Sequence, residues 1–209
     1  MQAIQIVTVG DESTGKTSLL STYIQGEFPA TTTPTVFDDY DHVAVIEGKP
    51  FFLRLWDTGG KDEYEEFRPV AYRTTDVFLV CFSPASPESF ENVKSKWIPE
   101  IKHHCPETPF VIIATKVDLR ENPATLKGLI ADDKELVNSE SAIKFAREVG
   151  AAAYVESSAK RKKGVEEVFT QSVSAVIGRA NAAAAAAAAN KPKRRKGSLG
   201  KGSEQCIVM

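Results

Sequence analysis

Four short stretches of this chain carry side chains suited to phosphate, a divalent cation and a purine base. Residues 10–18, GDESTGKTS, fit G-x-x-x-x-G-K-[ST] from Gly10 to Thr17. The two glycines allow the loop to wrap a phosphate with its N–H groups pointing inward. Lys16 then reaches the β- and γ-phosphates, and Thr17 offers a hydroxyl to Mg²⁺. Asp11, Ser13, Thr14, Gly15, Lys16, Thr17 and Ser18 are therefore expected to line a nucleotide. In DTGGKDEY (57–64), Asp57 is placed to hold Mg²⁺ through water, and Gly60 to offer its N–H to a γ-phosphate. A plain turn is the rival reading of DTGG alone, and a chance strand–helix turn that of the phosphate loop. TKVD (115–118) and SSAK (157–160) supply a base pocket from Thr115, Lys116, Asp118, Ser158, Ala159 and Lys160. A carboxylate at Asp118 accepts both N1–H and N2–H of guanine. Adenine offers neither donor and leaves the buried acceptor unpaired. The Lys116 stem lies over the base plane, and the Ala159 N–H meets O6.

Such residues must sit at the ends of well-buried strands. AIQIVTV (3–9), HVAVI (42–46), FFLRLW (51–56), DVFLVCF (76–82), FVIIAT (110–115) and AYVE (153–156) read as strands, and 16–25, 88–103, 139–149 and 164–180 as helices. Several strands are apolar on both faces, which predicts a six-stranded, mostly parallel α/β sheet flanked by helices. HVAVI and FFLRLW, joined through EGKP, predict one antiparallel hairpin. Ligands of such sheets bind at the carboxyl ends of the strands. Residues 26–40 read as a long Thr/Pro-rich loop. Residues 119–138 read as a charged insertion with its own short helix. The run Ala182–Ala189 either extends the last helix or is a low-complexity spacer.

The 209 residues suit one domain with a tail, and 42% hydrophobic with 26% charged residues is a globular composition. No apolar run approaches the roughly 18 residues of a membrane span, and the N-terminus predicts no signal peptide. Cys81, Cys105 and Cys206 form no disulfide framework, which fits reduced thiols in the cytosol. The net charge of −2 conceals a split: residues 190–205 carry +5, leaving −7 for the remainder. A basic tail on an acidic body predicts an anionic partner for the tail.

GDESTGKTS, PTVFDDY, WDTGG, TKVD and SAK, in this order, resemble a small GTPase of the Ras superfamily. FPATTTPTVFDDY, DVFLVCFSPASPESFENVKSKWIPEIKHHCPETP and the insertion narrow the resemblance to Rac/Cdc42-like members of the Rho family. It implies a G domain over 1–180, binding GTP or GDP with Mg²⁺. It also implies Thr35 as a second Mg²⁺-binding hydroxyl and Phe28 edge-on to guanine. Residues 26–40 and 57–74 become switches, with Val36, Phe37, Asp38 and Tyr40 facing effectors. Effectors, an exchange factor and a dissociation inhibitor would read those switches, and the insertion would add a contact surface. Actin and cell-shape control is the family-level expectation.

The hydrolysis positions depart from the pattern. Family members that hydrolyse GTP carry a glutamine that orients the attacking water where Lys61 stands here. A lysine only donates. Position 12, usually glycine, is Glu12, which obstructs the water and any arginine finger. Gly59 replaces the usual alanine, Thr32 a tyrosine, and Lys160 is more Ras-like than Rho-like. The expectation is a switch with strongly reduced hydrolysis, its rival an ordinary cycling GTPase. Glu12 and Lys61 are further expected to pair with each other, with the γ-phosphate, or with both.

The tail, 181–209, ends CIVM, so Cys206 fits a C-a-a-X prenylation site with a farnesyl preference. KPKRRK (191–196) supplies the second, electrostatic signal needed for stable anchoring at a cytoplasmic membrane face, with a cytosolic pool. Nuclear localisation or nucleic-acid contact is the rival reading; without aromatic stacking residues, no nucleic-acid partner is expected. His103, His104 and Cys105 are read as structural rather than metal-binding, and Trp56 and Trp97 as packing residues.

Overall fold

The computed structural model describes residues 1–31, 35–61 and 68–189. Thr32, residues 62–67 of the stretch expected to form the second switch, KPKRRK and Cys206 lie outside the described residues.

The chain runs β1 (Gln2–Val9), α1 (Lys16–Gln25), β2 (Phe37–Ile46), β3 (Lys49–Thr58), α2 (Arg68–Tyr72), β4 (Val77–Phe82), α3 (Pro87–Asn92), α4 (Ile98–His104), β5 (Phe110–Ala114), α5 (Pro123–Ala131), α6 (Ser139–Glu148), β6 (Ala153–Glu156) and α7 (Val165–Ala189). The sheet order is β2-β3-β1-β4-β5-β6. All neighbours are parallel except β2 and β3, which form the expected hairpin. Its turn residues, Glu47 and Gly48, have φ of 51° and 75°, the left-handed pair of a two-residue hairpin loop.

Alternation along β1 divides the core. Ile4 and Ile6 join Leu19, Leu20, Phe169 and Val173 under α1 and α7. Val7 and Val9 join Phe78, Phe82, Trp97 and Ala142 on the opposite face. Every residue of β4 and β5 is buried, so both strands read as unbroken apolar runs. Strand order turns about β1, which directs the ends of β1, β3, β5 and β6 to one edge.

Three features differ from the sequence expectation. Strand β2 begins at Phe37, inside the stretch read as loop. It is an edge strand, and FDDYD has too few inward apolar residues to announce it. The helix expected over 88–103 is interrupted by one wide π turn, Val93–Trp97, between α3 and α4. The short α2 was not anticipated; its Arg68 is 1% exposed. The guanidinium makes a two-pronged contact with Glu100, at 2.8 Å on each side, and Tyr72 Oη donates to the same carboxylate at 2.6 Å. Burial pushes the Glu100 carboxyl up, but the bonds from Arg68 and Tyr72 outweigh it and hold the group below the usual carboxylate range.

The insertion carries α5, capped by Asn122, whose side chain accepts from the N–H groups of Ala124 and Thr125. The alanine run continues α7 to Ala189, and its residues from Gly178 to Ala187 are exposed. No helix among the described residues is long and apolar enough to cross a membrane.

Candidate functional site

The loop between β1 and α1 folds tightly because its glycines have no alternative. Gly10 has φ 140°, and a Cβ there would strike the Cys81 carbonyl of β4. Gly15 has φ 98°, and its missing side chain leaves room for the Lys116 stem, whose Cε would lie 3.2 Å from a Cβ. Gly15 gives α1 no side-chain cap, and the first turn contains no acidic residue. The helix therefore presents uncompensated N–H groups and its positive dipole end to the cleft.

Lys16 is buried, its ammonium held at 2.8 Å by the carbonyls of Gly10 and Asp11. Burial pulls its pKa down, while Asp57 and other neighbouring acids pull it back up. An ammonium held inside a glycine-bounded loop at the uncapped start of a helix is suited to a polyphosphate.

Three oxygens converge opposite. Thr17 and Thr35 hydroxyls lie 2.8 Å apart and donate to Asp57 Oδ2 at 2.5 and 3.0 Å. Asp57 Oδ1 is buried, with no hydrogen-bond partner among the described residues. Burial pushes the Asp57 carboxyl up, opposed by Thr17 and Lys16. Two hydroxyls with a desolvated, half-partnered carboxylate are hard oxygen donors that fit Mg²⁺. Thr17, Thr35 and Asp57 are the residues that would hold the ion, which would neutralise phosphate charge there.

The base-side loops are tied to the phosphate loop. Thr115 Oγ1 donates to the carbonyls of Thr14 and Phe82, and Lys116 Nζ donates to the Ser13 carbonyl at 2.6 Å. Lys116 has φ 51°; burial lowers its pKa, with Asp118 opposing. Ser158 Oγ donates to Asp118 Oδ1 at 2.6 Å and accepts from the Arg161 N–H at 3.1 Å. Ala159 and Lys160 lie on the turn closed by the Ser158–Lys163 bridge. Gly164 at its end has φ 70°, and a Cβ there would strike the Glu156 carbonyl.

The segments around Val36 and Gly60 meet at this edge. Gly59 N–H donates to the Val36 carbonyl at 2.9 Å, and Phe37 packs on Trp56 with ring centroids 4.9 Å apart. Gly60 rests on the phosphate loop so closely that a Cβ would strike the backbone of Glu12, Asp11 and Gly10. Lys61 Nζ stands 4.0 Å from Glu12 Oε1, both side chains half-exposed. Glu12, Ser13, Lys16, Thr17, Ser18, Thr35, Gly60, Lys61 and Lys116 share one cleft. Phe28 stands 45% exposed, Val36 is exposed at 53%, Asp38 is exposed, and Tyr40 packs partly against the core.

Asp11 behaves differently from its loop neighbours. Its carboxylate is held by Trp97 Nε1 on Oδ1 and Asn92 Nδ2 on Oδ2, each at 2.7 Å, so only its backbone serves the cleft. Trp97 thus does more than pack. The only sequence hint was that a buried indole N–H needs an acceptor; nothing local points to one 86 positions away. His103 and His104 contact edge to face, and Cys105 Sγ lies 3.3 Å from the Tyr72 carbonyl.

A mostly parallel sheet with a glycine-bounded phosphate loop, a hydroxyl–carboxylate cluster and a carboxylate at a neighbouring strand end defines a P-loop nucleotide-binding protein. The sequence model of the Ras family matches residues 5–178, and the chain belongs to that family. It is thus a small GTPase switch that binds guanine nucleotide.

Proposed function

We propose that this chain is a Rho-type switch impaired in hydrolysis and biased to the GTP-bound state. In this reading Asp11, Ser13, Thr14, Gly15, Lys16, Thr17, Ser18 and Gly60 hold the phosphates, and Thr17, Thr35 and Asp57 hold Mg²⁺. Phe28, Thr115, Lys116, Asp118, Ser158, Ala159 and Lys160 enclose guanine, while Val36, Phe37, Asp38 and Tyr40 present the GTP state to effectors. Control then falls on exchange, abundance and location rather than on hydrolysis. The observation that carries the reading is the pair Glu12 and Lys61, 4.0 Å apart at the mouth of the phosphate loop where the family places a glycine and a glutamine. Denaturing freshly purified protein and identifying the released nucleotide tests it. GTP is expected. GDP favours an ordinary cycling GTPase, and an empty site favours a scaffold indifferent to nucleotide.

We further propose that residues 1–180 form the G domain, with a tail over 181–209 that anchors it to a cytoplasmic membrane face. The exposed end of α7 starts that tail as a helix rather than a loose spacer, at about 1.5 Å per residue. Cys206→Ser should release the protein to the cytosol. Neutralising Lys193 to Lys196 should abolish the dependence of liposome binding on anionic lipid and on salt. Binding indifferent to anionic lipid in the unaltered protein would overturn the electrostatic part.

A further inference from the structure

The wide turn Val93–Trp97 has a consequence for the site. In an α-helix, residues five apart point about 140° away from each other around the axis. Here Ile98 N–H reaches back five residues to the Val93 carbonyl. The widened turn brings Asn92 and Trp97 onto one face, where their donors take the two oxygens of Asp11. The carboxylate is thus gripped from both sides, and with it the backbone leading into Glu12.

The other contact of Trp97 leads to the second switch. The Arg68 guanidinium lies over its ring, 4.8 Å from the centroid, in a cation–π arrangement. Arg68 is anchored by Glu100 and Tyr72, and its Nη1 donates to the Lys61 carbonyl at 3.1 Å. The contacts close a ring: Asp11 to Glu12 through the chain, Glu12 to Lys61 across the cleft mouth, Lys61 to Arg68, Arg68 to Trp97, and Trp97 back to Asp11.

We propose that Trp97 is the positioning residue that couples the second switch to the phosphate loop, gripping Asp11 with its indole N–H and Arg68 with its ring face. It touches no nucleotide. Its effect is to make the placement of Lys61 and Gly60 depend on the placement of Glu12, so that the two close on a third phosphate as a unit. A diphosphate offers nothing at that position and leaves the coupling unused. The inference rests on the proposed nucleotide site.

Trp97→Phe keeps a ring for Arg68 and deletes the indole N–H. Release of a fluorescent non-hydrolysable GTP analogue should quicken by about tenfold, the scale for losing one hydrogen bond to a charged group, and release of the GDP counterpart by less than about twofold. Equal acceleration of both, or of neither, overturns the coupling, since a merely structural tryptophan would not discriminate. A second readout needs no nucleotide. Trp56→Phe leaves Trp97 as the sole tryptophan, and its ¹⁵N-labelled indole N–H signal should move on Arg68→Lys and also on the gentler Glu100→Gln. An indole signal indifferent to both sinks the relay. If the parent binds no guanine nucleotide, the proposed site fails, and the indole response alone then decides whether the relay exists.

Discussion

Asp118→Asn should lower affinity for GTP by roughly 10³-fold or more and raise affinity for xanthosine triphosphate, turning a guanine site into a xanthine site. A site built to pair with a substrate N–H rejects a base that lacks it by several orders of magnitude, because its own buried group is left unpaired. The structure adds a reason for the exchange to be clean. Ser158 Oγ donates to Asp118 Oδ1 at 2.6 Å. In the variant that hydroxyl would keep the amide oxygen on its own side and turn the amide NH₂ toward the base. A donor would then stand where guanine presents its 2-amino group and xanthine presents a carbonyl. Adding Ser158→Ala should blunt the new preference by freeing the amide to turn. Competition titrations with both triphosphates check this, and unchanged GTP affinity would remove Asp118 from the base pocket.

What sequence made legible was local chemistry at strand ends. GDESTGKTS, DTGG, TKVD and SSAK each follow a readable strand, so spacing along the chain brings them to one edge of the sheet. The parallel core was equally readable, because β4 and β5 are apolar on both faces. What escaped were features set by distant partners. In the apolar run HVAVI only Ala44 and Ile46 are buried; Val43 and Val45, on the other face of edge strand β2, stand 55% and 72% exposed, a division the run itself does not signal. Arg68 was unreadable for the opposite reason: an arginine is buried only when paired, and its partner Glu100 lies 32 positions on. The π turn had no sequence signal at all. Its role emerges only when Asn92 and Trp97 are seen to converge on Asp11.

Glu12→Gly with Lys61→Gln should raise single-turnover GTP hydrolysis by about 10³-fold or more in the presence of a Rho-family activating protein, while each change alone raises it by less than about tenfold. An arginine finger contributes on the order of 10³–10⁵ in rate and needs both free space and an oriented water. Lys61→Gln supplies a group able to orient water but leaves Glu12 in its path. Glu12→Gly clears the path but leaves Lys61, which only donates. The strong non-additivity does not arise from the energy of the pair itself. At 4.0 Å, with side chains 39% and 48% exposed, the Lys61–Glu12 contact is worth at most about 1 kcal/mol, under tenfold in rate. It arises because the two positions serve one step and fail for different reasons. Their closeness is nevertheless built in: Gly60 sits against the Glu12 backbone, and Arg68 holds the Lys61 carbonyl, so the two main-chain positions stay side by side whichever rotamers the side chains adopt. Four proteins decide the matter: the parent, the two single variants and the double variant, each measured with and without the activating protein. Full rescue by Lys61→Gln alone would show that Glu12 is harmless. Rapid hydrolysis by the parent would mean that Lys61 orients water after all, and the GTP-biased reading would fall with it.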